Sequence, residues 1–512
     1  MREQVDLLVI GGGVNGAAIA RDAAGRGARV MLVEQDDLAA HTSSASTKLI
    51  HGGLRYLEHF EFRLVGEALA ERERLMRAAP HLIRPLRFVL PHDSSMRPAW
   101  MIRLGLVLYD HLGGPRRLPR SAAVDLRAAP FAGQLHQRFA RGFAYSDCWG
   151  DDSRLVVANA MDARERGASI LTRTRMVGAR PRHGGWNVRV RTAGDAEARE
   201  VGAKVLVNAT GSWAGRVLND LLERPDVSPL RLVKGSHIVT RRLFEGDHAF
   251  VLQNPDRRIV FAIPYEDRFT LIGTTDVDWG GEPDQVGVDD AEVDYLCSSI
   301  NRYLAAQITA KDVLWRYAGL RPLYDDAAND PSAISRDYVL QVDAAGPASP
   351  MLSVFGGKIT THRALAEAAM DKLLPHLPGL GPAWTGRSFL TGGEIPGGDL
   401  KRLLAELRQR ADFLSPGTAR RWVQAYGARA FEVLGEARSL ADLGEDFGEG
   451  LTEVEVDYLR RDEWAVTAED ILWRRSKLGL HLSPQAAQRL SSWLRTTAGV
   501  DGGLGGEMRL RV

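Results

Sequence analysis

The chain has 512 residues, 45% of them hydrophobic and 26% charged, ordinary for a globular protein and long enough for two or three domains. Its 66 basic and 65 acidic residues leave a formal charge of +1, so no basic excess draws it to nucleic acid. Only two cysteines are present, Cys148 and Cys297, far apart and without metal-ligand spacing, which fits a reducing compartment and argues against a disulfide framework.

The first predicted element is a strand at Val5 to Ile10, nearly all apolar, as a parallel strand buried on both faces should be. It begins so early that no signal peptide is expected. No run of about 18 uncharged apolar residues exists to span a bilayer. A cytoplasmic protein with at most surface attachment to a membrane is therefore expected. A glycine turn follows, then helical character over Ala17 to Arg26, Gly27, and a second apolar strand at Val30 to Val33. That is one βαβ unit.

Gly11-Gly12-Gly13-Val14-Asn15-Gly16 fits the dinucleotide fingerprint G-x-G-x-x-G. With 52 glycines the pattern alone is weak, but a buried strand precedes it and a helix follows. Gly11 permits the tight turn, Gly13 lets the backbone approach a pyrophosphate, and Gly16 lets helix and strand pack closely. The helix start, where Asn15 lies, offers unpaired N–H groups and a positive dipole end to phosphate. Glu34, closing the second strand, can accept hydrogen bonds from a ribose and would repel a 2′-phosphate.

Further along, Asn208-Ala209-Thr210-Gly211 follows the apolar Val205 to Val207 and resembles the strand-and-turn that returns to the dinucleotide in flavoproteins. Phe355-Gly356-Gly357-Lys358-Ile359-Thr360-Thr361 precedes a helix near residue 362, whose start can hold negative charge on a reduced flavin ring. There is no second G-x-G-x-x-G, so FAD is expected rather than a separate NADH domain. Thr210, Gly211, Gly356, Gly357 and Thr360 thus join Gly11, Gly13, Asn15, Gly16 and Glu34 as candidate cofactor contacts, with Val177 counted among them.

In the middle of the chain, Arg258 to Ile263 and Phe269 to Gly273 read as an antiparallel hairpin joined through Glu266-Asp267-Arg268, and Asp289 to Ala306 as a helix. Residues 82–120 carry seven arginines (84, 87, 97, 103, 116, 117 and 120) around an apolar helix from Pro98 to Leu112. An apolar helix flanked by arginines suits the headgroup boundary of an anionic membrane, although a buried helix explains the apolar part equally well. Gly392 to Gly398 is a breaker-rich linker, and beyond it nearly everything reads as helix. Ser415-Pro416 and Ser483-Pro484 each place a capping serine before a first-turn proline, and Thr452-Glu453-Val454-Glu455 has capping-box spacing.

Ser43-Ser44-Ala45-Ser46-Thr47-Lys48-Leu49-Ile50-His51-Gly52-Gly53-Leu54-Arg55-Tyr56-Leu57-Glu58 closely resembles the signature of aerobic, FAD-linked glycerol-3-phosphate dehydrogenases. The match recurs at Lys234 to His237, Ile272 to Asp276, Gly319 to Leu323, Ser335 to Tyr338, Ser353 to Thr361, Asp442 to Gly448 and Leu472 to Lys477, and so covers essentially the whole chain. Asp442 to Thr452 does not satisfy calcium-loop spacing, which sets the chain apart from mitochondrial relatives with a calcium-binding extension.

The resemblance implies an α/β fold: a Rossmann-like FAD domain interleaved over residues 1–392 with an α+β substrate cap (segments roughly 80–145 and 225–335), then a helical domain at 393–512. It implies oxidation of sn-glycerol 3-phosphate to dihydroxyacetone phosphate, with electrons passed to a membrane quinone from the cytoplasmic side of the inner membrane. It leaves a homodimer open. Arg55, Tyr56, Arg336 and Lys358 become the substrate-binding candidates, since a phosphomonoester needs several cationic donors round one end. Ser43, Ser44, Lys48 and His51 are expected at the flavin. His237, from an ordinary value near 6.5, is the candidate base for the C2 hydroxyl proton. Arg321 cannot serve as a base and is assigned the developing alkoxide. An amine- or amino-acid-oxidising enzyme of the same fold predicts fewer cations, and a flavin-binding sensor would need none of these groups.

Overall fold

The computed structural model describes residues 3–94, 96–222, 230–324, 337–344 and 349–498. Among the described residues two sheets form, the first of eight strands and the second of ten. The parallel core of the first runs, in spatial order, Pro350–Phe355, Arg199–Asn208, β1 (Glu3–Ile10), β2 (Val30–Val33) and Ser169–Leu171. Leu7, Leu8 and Val9 are fully buried because both faces are covered. On one face lie α1 (Val14–Gly25) and the helices Asp152–Glu165 and His362–Leu373, while Trp186, Val188 and Val190 seal the other. That double cover is why β1 reads as an unbroken apolar run. The dinucleotide turn sits at the carboxyl end of this sheet, where open α/β sheets place their ligands.

The second sheet has ten strands, drawn from 83–150 and 230–324 plus Leu49–Ile50. It is antiparallel except where His248–Gln253 runs parallel to Ile83–His92. Its long pair is Leu230–Arg241 with Val313–Tyr324, which sets His237 opposite Tyr317 and Val233 opposite Arg321. The expected hairpin is present as Ile259–Tyr265 and Phe269–Gly273, turning through Glu266 and Asp267, both at positive φ. The following helix spans Asp290–Asn301, with Asp289 and Glu292 forming a complete capping box. It stops short of the expected Ala306 because the Asn301 side chain bonds both Ile308 N and Ile308 O, folding the chain back on itself.

Beyond Gly398 every regular element among the described residues is helical. Ser415 caps Thr418 N at 3.0 Å and Ser483 caps Ala486 N at 3.2 Å, as their prolines foretell. The capping box at Thr452 does not form. Helix Glu453–Glu463 does start there, but the Thr452 hydroxyl makes no cap bond. Glu455 turns inward instead and accepts from Arg421, Trp422 Nε1 (2.9 Å) and Tyr426 Oη (2.5 Å). Burial among three donors outweighs one exposed backbone N–H.

The helical region is riveted to the first sheet by charge. Arg154, 4% exposed, makes a two-pronged pair with the fully buried Glu463 and donates to Ala425 O at 3.1 Å. Removing one partner of such a pair strands the other charge, at a cost of about 3–5 kcal/mol. Arg154→Ala is therefore expected to lower stability by that order, read as a lower denaturant midpoint of tryptophan fluorescence. An unshifted midpoint would show that Glu463 finds full compensation from Arg475, 3.7 Å away.

Candidate active site

The site is assembled from the glycine turn upward. Gly11 has φ +109°, and a Cβ there would lie 2.5 Å from Ala209 O; a Cβ on Gly16 would lie 1.9 Å from Gly11 O. Only glycine lets the turn fold under the start of α1 this closely. Glu34, 7% exposed, accepts from Gly12 N at 2.6 Å and Asp36 N at 2.8 Å, so the carboxylate is held at the end of β2 facing the turn. Burial raises its affinity for a proton, and those two backbone bonds oppose the rise. Ser43 Oγ accepts from Val14 N at 3.0 Å, capping α1 from a separate segment. Gly13 begins α1 in extended conformation.

Asn15 Nδ2 donates to Gly356 O at 3.3 Å, which ties the second glycine-rich loop to the first. Its Oδ1 is buried without a hydrogen-bond partner among the described residues. This orphaned acceptor beside a glycine cradle fits a dinucleotide that carries hydroxyl donors. Thr210 Oγ1 donates to Asn208 Oδ1 at 2.7 Å and Asn208 Nδ2 to Ala214 O at 2.8 Å, fixing the turn at Gly211 (φ +57°). Gly357 also takes positive φ. His51 N donates to Thr360 Oγ1 at 3.1 Å, and Thr360 Oγ1 donates to His51 O at 3.3 Å, so the 43–58 segment and the 356–361 loop are joined. Val177 lies in the β-bulge of Thr174–Arg182, with its side chain 37% exposed.

The Lys48 ammonium is fully buried on Asp152, at 2.9 and 2.8 Å, and donates to Ser44 O at 3.0 Å, so its charge is balanced inside the protein. Burial alone would raise the Asp152 carboxyl, but the Lys48 and Lys477 charges hold it below the usual range. Ser46 N and Oγ both donate to the same carboxylate, at 3.2 and 2.8 Å, which fixes the turn carrying Thr47.

Thr47 Oγ1 is hydrogen-bonded to His237 Nε2 at 2.9 Å. The His237 ring is 1% exposed, stacks on Tyr317 at 4.8 Å, and has no bond to Nδ1 among the described residues. Burial pushes its proton affinity well below that of an ordinary histidine, and the Arg321 and Lys48 cations push the same way. Arg321 is steered by Asp276 Oδ1 at 2.5 Å, Thr274 Oγ1 at 3.1 Å and Thr275 O at 3.3 Å. A Cβ on Gly235 would lie 2.3 Å from its Nη2, so the bare backbone there makes room for the guanidinium.

Lys358 Nζ stands 3.8 Å over the Tyr56 ring. Arg55 is half-buried in the same short turn, Leu54–His59. The strand end at Pro322, the Asp337 carbonyl and Gly356 converge, a Cβ on Gly356 lying 2.8 Å from Asp337 O and 3.8 Å from Pro322 O. Arg336 lies outside the described residues. Sequence reasoning missed Thr47, Asp152, Asp276 and Tyr317. Thr47 lies inside the 43–58 signature and Asp276 closes the Ile272 to Asp276 match, so both could have been picked; Asp152 and Tyr317 are visible only through their partners.

A family model described as FAD dependent oxidoreductase matches residues 6–363, and one described as the C-terminal domain of alpha-glycerophosphate oxidase matches residues 384–500. The chain belongs to the FAD-dependent oxidoreductases. It is 52% identical to a glycerol-3-phosphate dehydrogenase of Pseudomonas aeruginosa, over 97% of this chain and 96% of that one. It is 48% identical to a D-erythritol 1-phosphate dehydrogenase of Brucella abortus, over 96% of this chain and 98% of that one. Among solved structures it resembles the glycerol-3-phosphate dehydrogenase of Bacillus halodurans complexed with FAD, with TM-score 0.73 and 26% identity, covering 96% of this chain and 94% of that one.

The electrostatics of His237 give a testable sign. With its proton affinity depressed, the neutral, proton-accepting form exists throughout the range above 6.5 and still somewhat below it. If His237 accepts the proton, the acid limb of kcat/KM for the oxidation should fall below pH 6.5. A limb centred at or above that value would show a histidine that is not held neutral.

Proposed function

We propose that this oxidoreductase converts sn-glycerol 3-phosphate to dihydroxyacetone phosphate. The observation that carries the reading is His237, buried and neutral, within the field of an Arg321 guanidinium held by Asp276. A buried neutral histidine takes a hydroxyl proton, and a fixed guanidinium stabilises the alkoxide that forms. Bound FAD supplies the acceptor for the hydride from C2 and the outlet by which both electrons reach a membrane quinone. Thr47 orients the imidazole, leaving Nδ1 as its second polar atom. Lys358, Arg55 and Arg336 are the cations assigned to the phosphate, with Tyr56 fixing Lys358 through its ring. Gly11, Gly13, Asn15 and Gly16 are assigned to the dinucleotide, with Glu34 at its ribose.

The chain is 48% identical to a relative named for erythritol 1-phosphate, so the experiment offers both polyol phosphates to the yellow holoenzyme with a soluble dye. Faster reduction with glycerol 3-phosphate supports the reading, and faster reduction with erythritol 1-phosphate overturns it. Arg321→Ala should lower kcat/KM by at least about 100-fold, since a donor aimed at developing charge contributes roughly 3 kcal/mol. Bound FAD should be unchanged. Near-parental turnover would remove Arg321 from the site.

The same reading places the protein peripherally on a membrane. No helix among the described residues is long and apolar enough to cross one. Helix Ala99–Leu112 buries Leu106, Tyr109 and Asp110 but exposes Trp100 (66%), Leu104 (53%) and Met101 (43%). Phe60 is 78% exposed on the turn region beside it. The flanking arginines contribute less than the sequence promised. Arg97 pairs with Glu58, Arg103 donates to Ser121, Arg116 is taken by Asp110, and Arg87 bonds backbone carbonyls. Arg117 and Arg120 stay exposed. Apolar insertion is therefore the main contribution, and anionic lipid a smaller one. Trp100→Glu with Leu104→Glu should abolish sedimentation with vesicles and lower quinone reduction while dye reduction persists. Parental vesicle binding in that variant would move the membrane face elsewhere.

A further inference from the structure

One short segment of the helical region touches three separate parts of the site. Trp473 stacks on Trp315 at 4.4 Å and 28°. Trp315 and Tyr317 alternate on their strand and so share a face, with ring centroids 4.7 Å apart. Tyr317 in turn lies parallel to His237 at 4.8 Å and 14°. A continuous series of ring contacts thus runs from the C-terminal region to the buried imidazole, stacked at both ends and tilted by 41° between Trp315 and Tyr317. We propose that Trp473 is a positioning residue for His237, acting through Trp315 and Tyr317. The proposal rests on the reading of His237 as the base.

Trp473 is built to be immobile. A Cβ on Gly479 would lie 2.5 Å from its Cε2, so the indole is wedged against bare backbone. Its neighbours are anchored on both sides. Arg474 Nε reaches Asp37 Oδ2 at 2.7 Å, and Arg475 grips both Asp37 oxygens at 2.8 Å. Asp37 lies three residues past Glu34, in the loop that closes the dinucleotide turn. On the other side Lys477 Nζ donates to Trp473 O and to Ser153 Oγ, each at 2.6 Å, beside the Asp152 that holds Lys48. The indole is therefore fixed relative to the cofactor loop and presses on the catalytic strand from a fixed place.

His237 itself needs that support. Its one hydrogen bond among the described residues is to Thr47, which leaves rotation of the ring about that bond unopposed by any other polar contact. Stacking on Tyr317 sets the plane, and Tyr317 is held by its hydroxyl on Ser46 O at 2.9 Å and by Trp315 behind it. Removing the last ring of the series lets the others tilt. Removal of the hydroxyl proton, coupled to hydride loss from the same carbinol centre, is sensitive to tilts of this kind, a displacement of about 1 Å costing up to 100-fold.

The test uses FAD-loaded protein and follows the rate at which substrate bleaches the bound flavin in single turnovers. Trp473→Ala should slow bleaching about ten-fold per bound flavin. FAD content and the substrate concentration at half-maximal rate should stay near parental. Trp473→Phe, which keeps a ring in the stack, should recover most of the rate. Gly479→Ala, which pushes the indole without deleting it, should slow bleaching in the same way and serves if Trp473→Ala folds poorly. In a His237→Ala background, Trp473→Ala should cost nothing further, because it acts through the missing imidazole. A bleaching rate per flavin that stays parental in Trp473→Ala overturns the proposal and leaves Trp473 as packing. A further ten-fold loss in the His237→Ala background overturns it too. His237→Ala measured alone reports on the base reading, so the two failures are separable.

Discussion

The buried ion pair between Lys48 and Asp152 is the contact on which the rest of the site depends. Both side chains are fully excluded from solvent, and such a pair adds little net stability once desolvation is counted. Its effect is geometric. Lys48 sits at positive φ, Ser46 Oγ and N both reach Asp152, and the turn between them has one conformation. That turn carries Thr47 to His237 and offers Ser46 O to the Tyr317 hydroxyl. Upstream, Thr42 Oγ1 bonds Leu320 O at 2.7 Å, one residue before Arg321. A single segment therefore spans the glycine turn, His237 and Arg321.

The same pair shapes the local field. Burial lowers the proton affinity of His237 most, the Arg321 and Lys48 cations add to that effect, and Asp152 opposes them. A neutral imidazole is the result. Arg321 is a fixed cation, held in direction by Asp276, so the site sets a buried imidazole beside a guanidinium. That combination suits alcohol oxidation, where a proton leaves the oxygen while negative charge develops on it.

Much of this was legible in the sequence because it is local. The glycine turn, the hairpin through Glu266 and the serine-proline helix starts depend on residues within a few positions of one another, and all three formed. The failures share the opposite property. Thr452 lost its capping box because Glu455 found Arg421, Trp422 and Tyr426. Helix Asp290–Asn301 ended early because Asn301 met Ile308. Arg116 read as a cation free to meet lipid until Asp110 took it. A sequence shows a cation but not its partner, and for charged side chains the partner decides the role.

That rule also explains how the helical region is joined. Arg475 on Asp37, Arg154 on Glu463 and Arg173 on Asp470 all cross between it and the FAD-side strands and helices. Arginine suits such seams because its planar fork fixes direction as well as distance, where an apolar contact would tolerate sliding. Sliding matters here. The Asp37 loop and the Trp315 strand belong to different sheets, and the described contacts of Trp473 to Lys477 bear on both. A region fastened by oriented ion pairs as well as by a shared apolar core holds two sheets in register with each other, and His237 and the glycine turn lie one on each sheet.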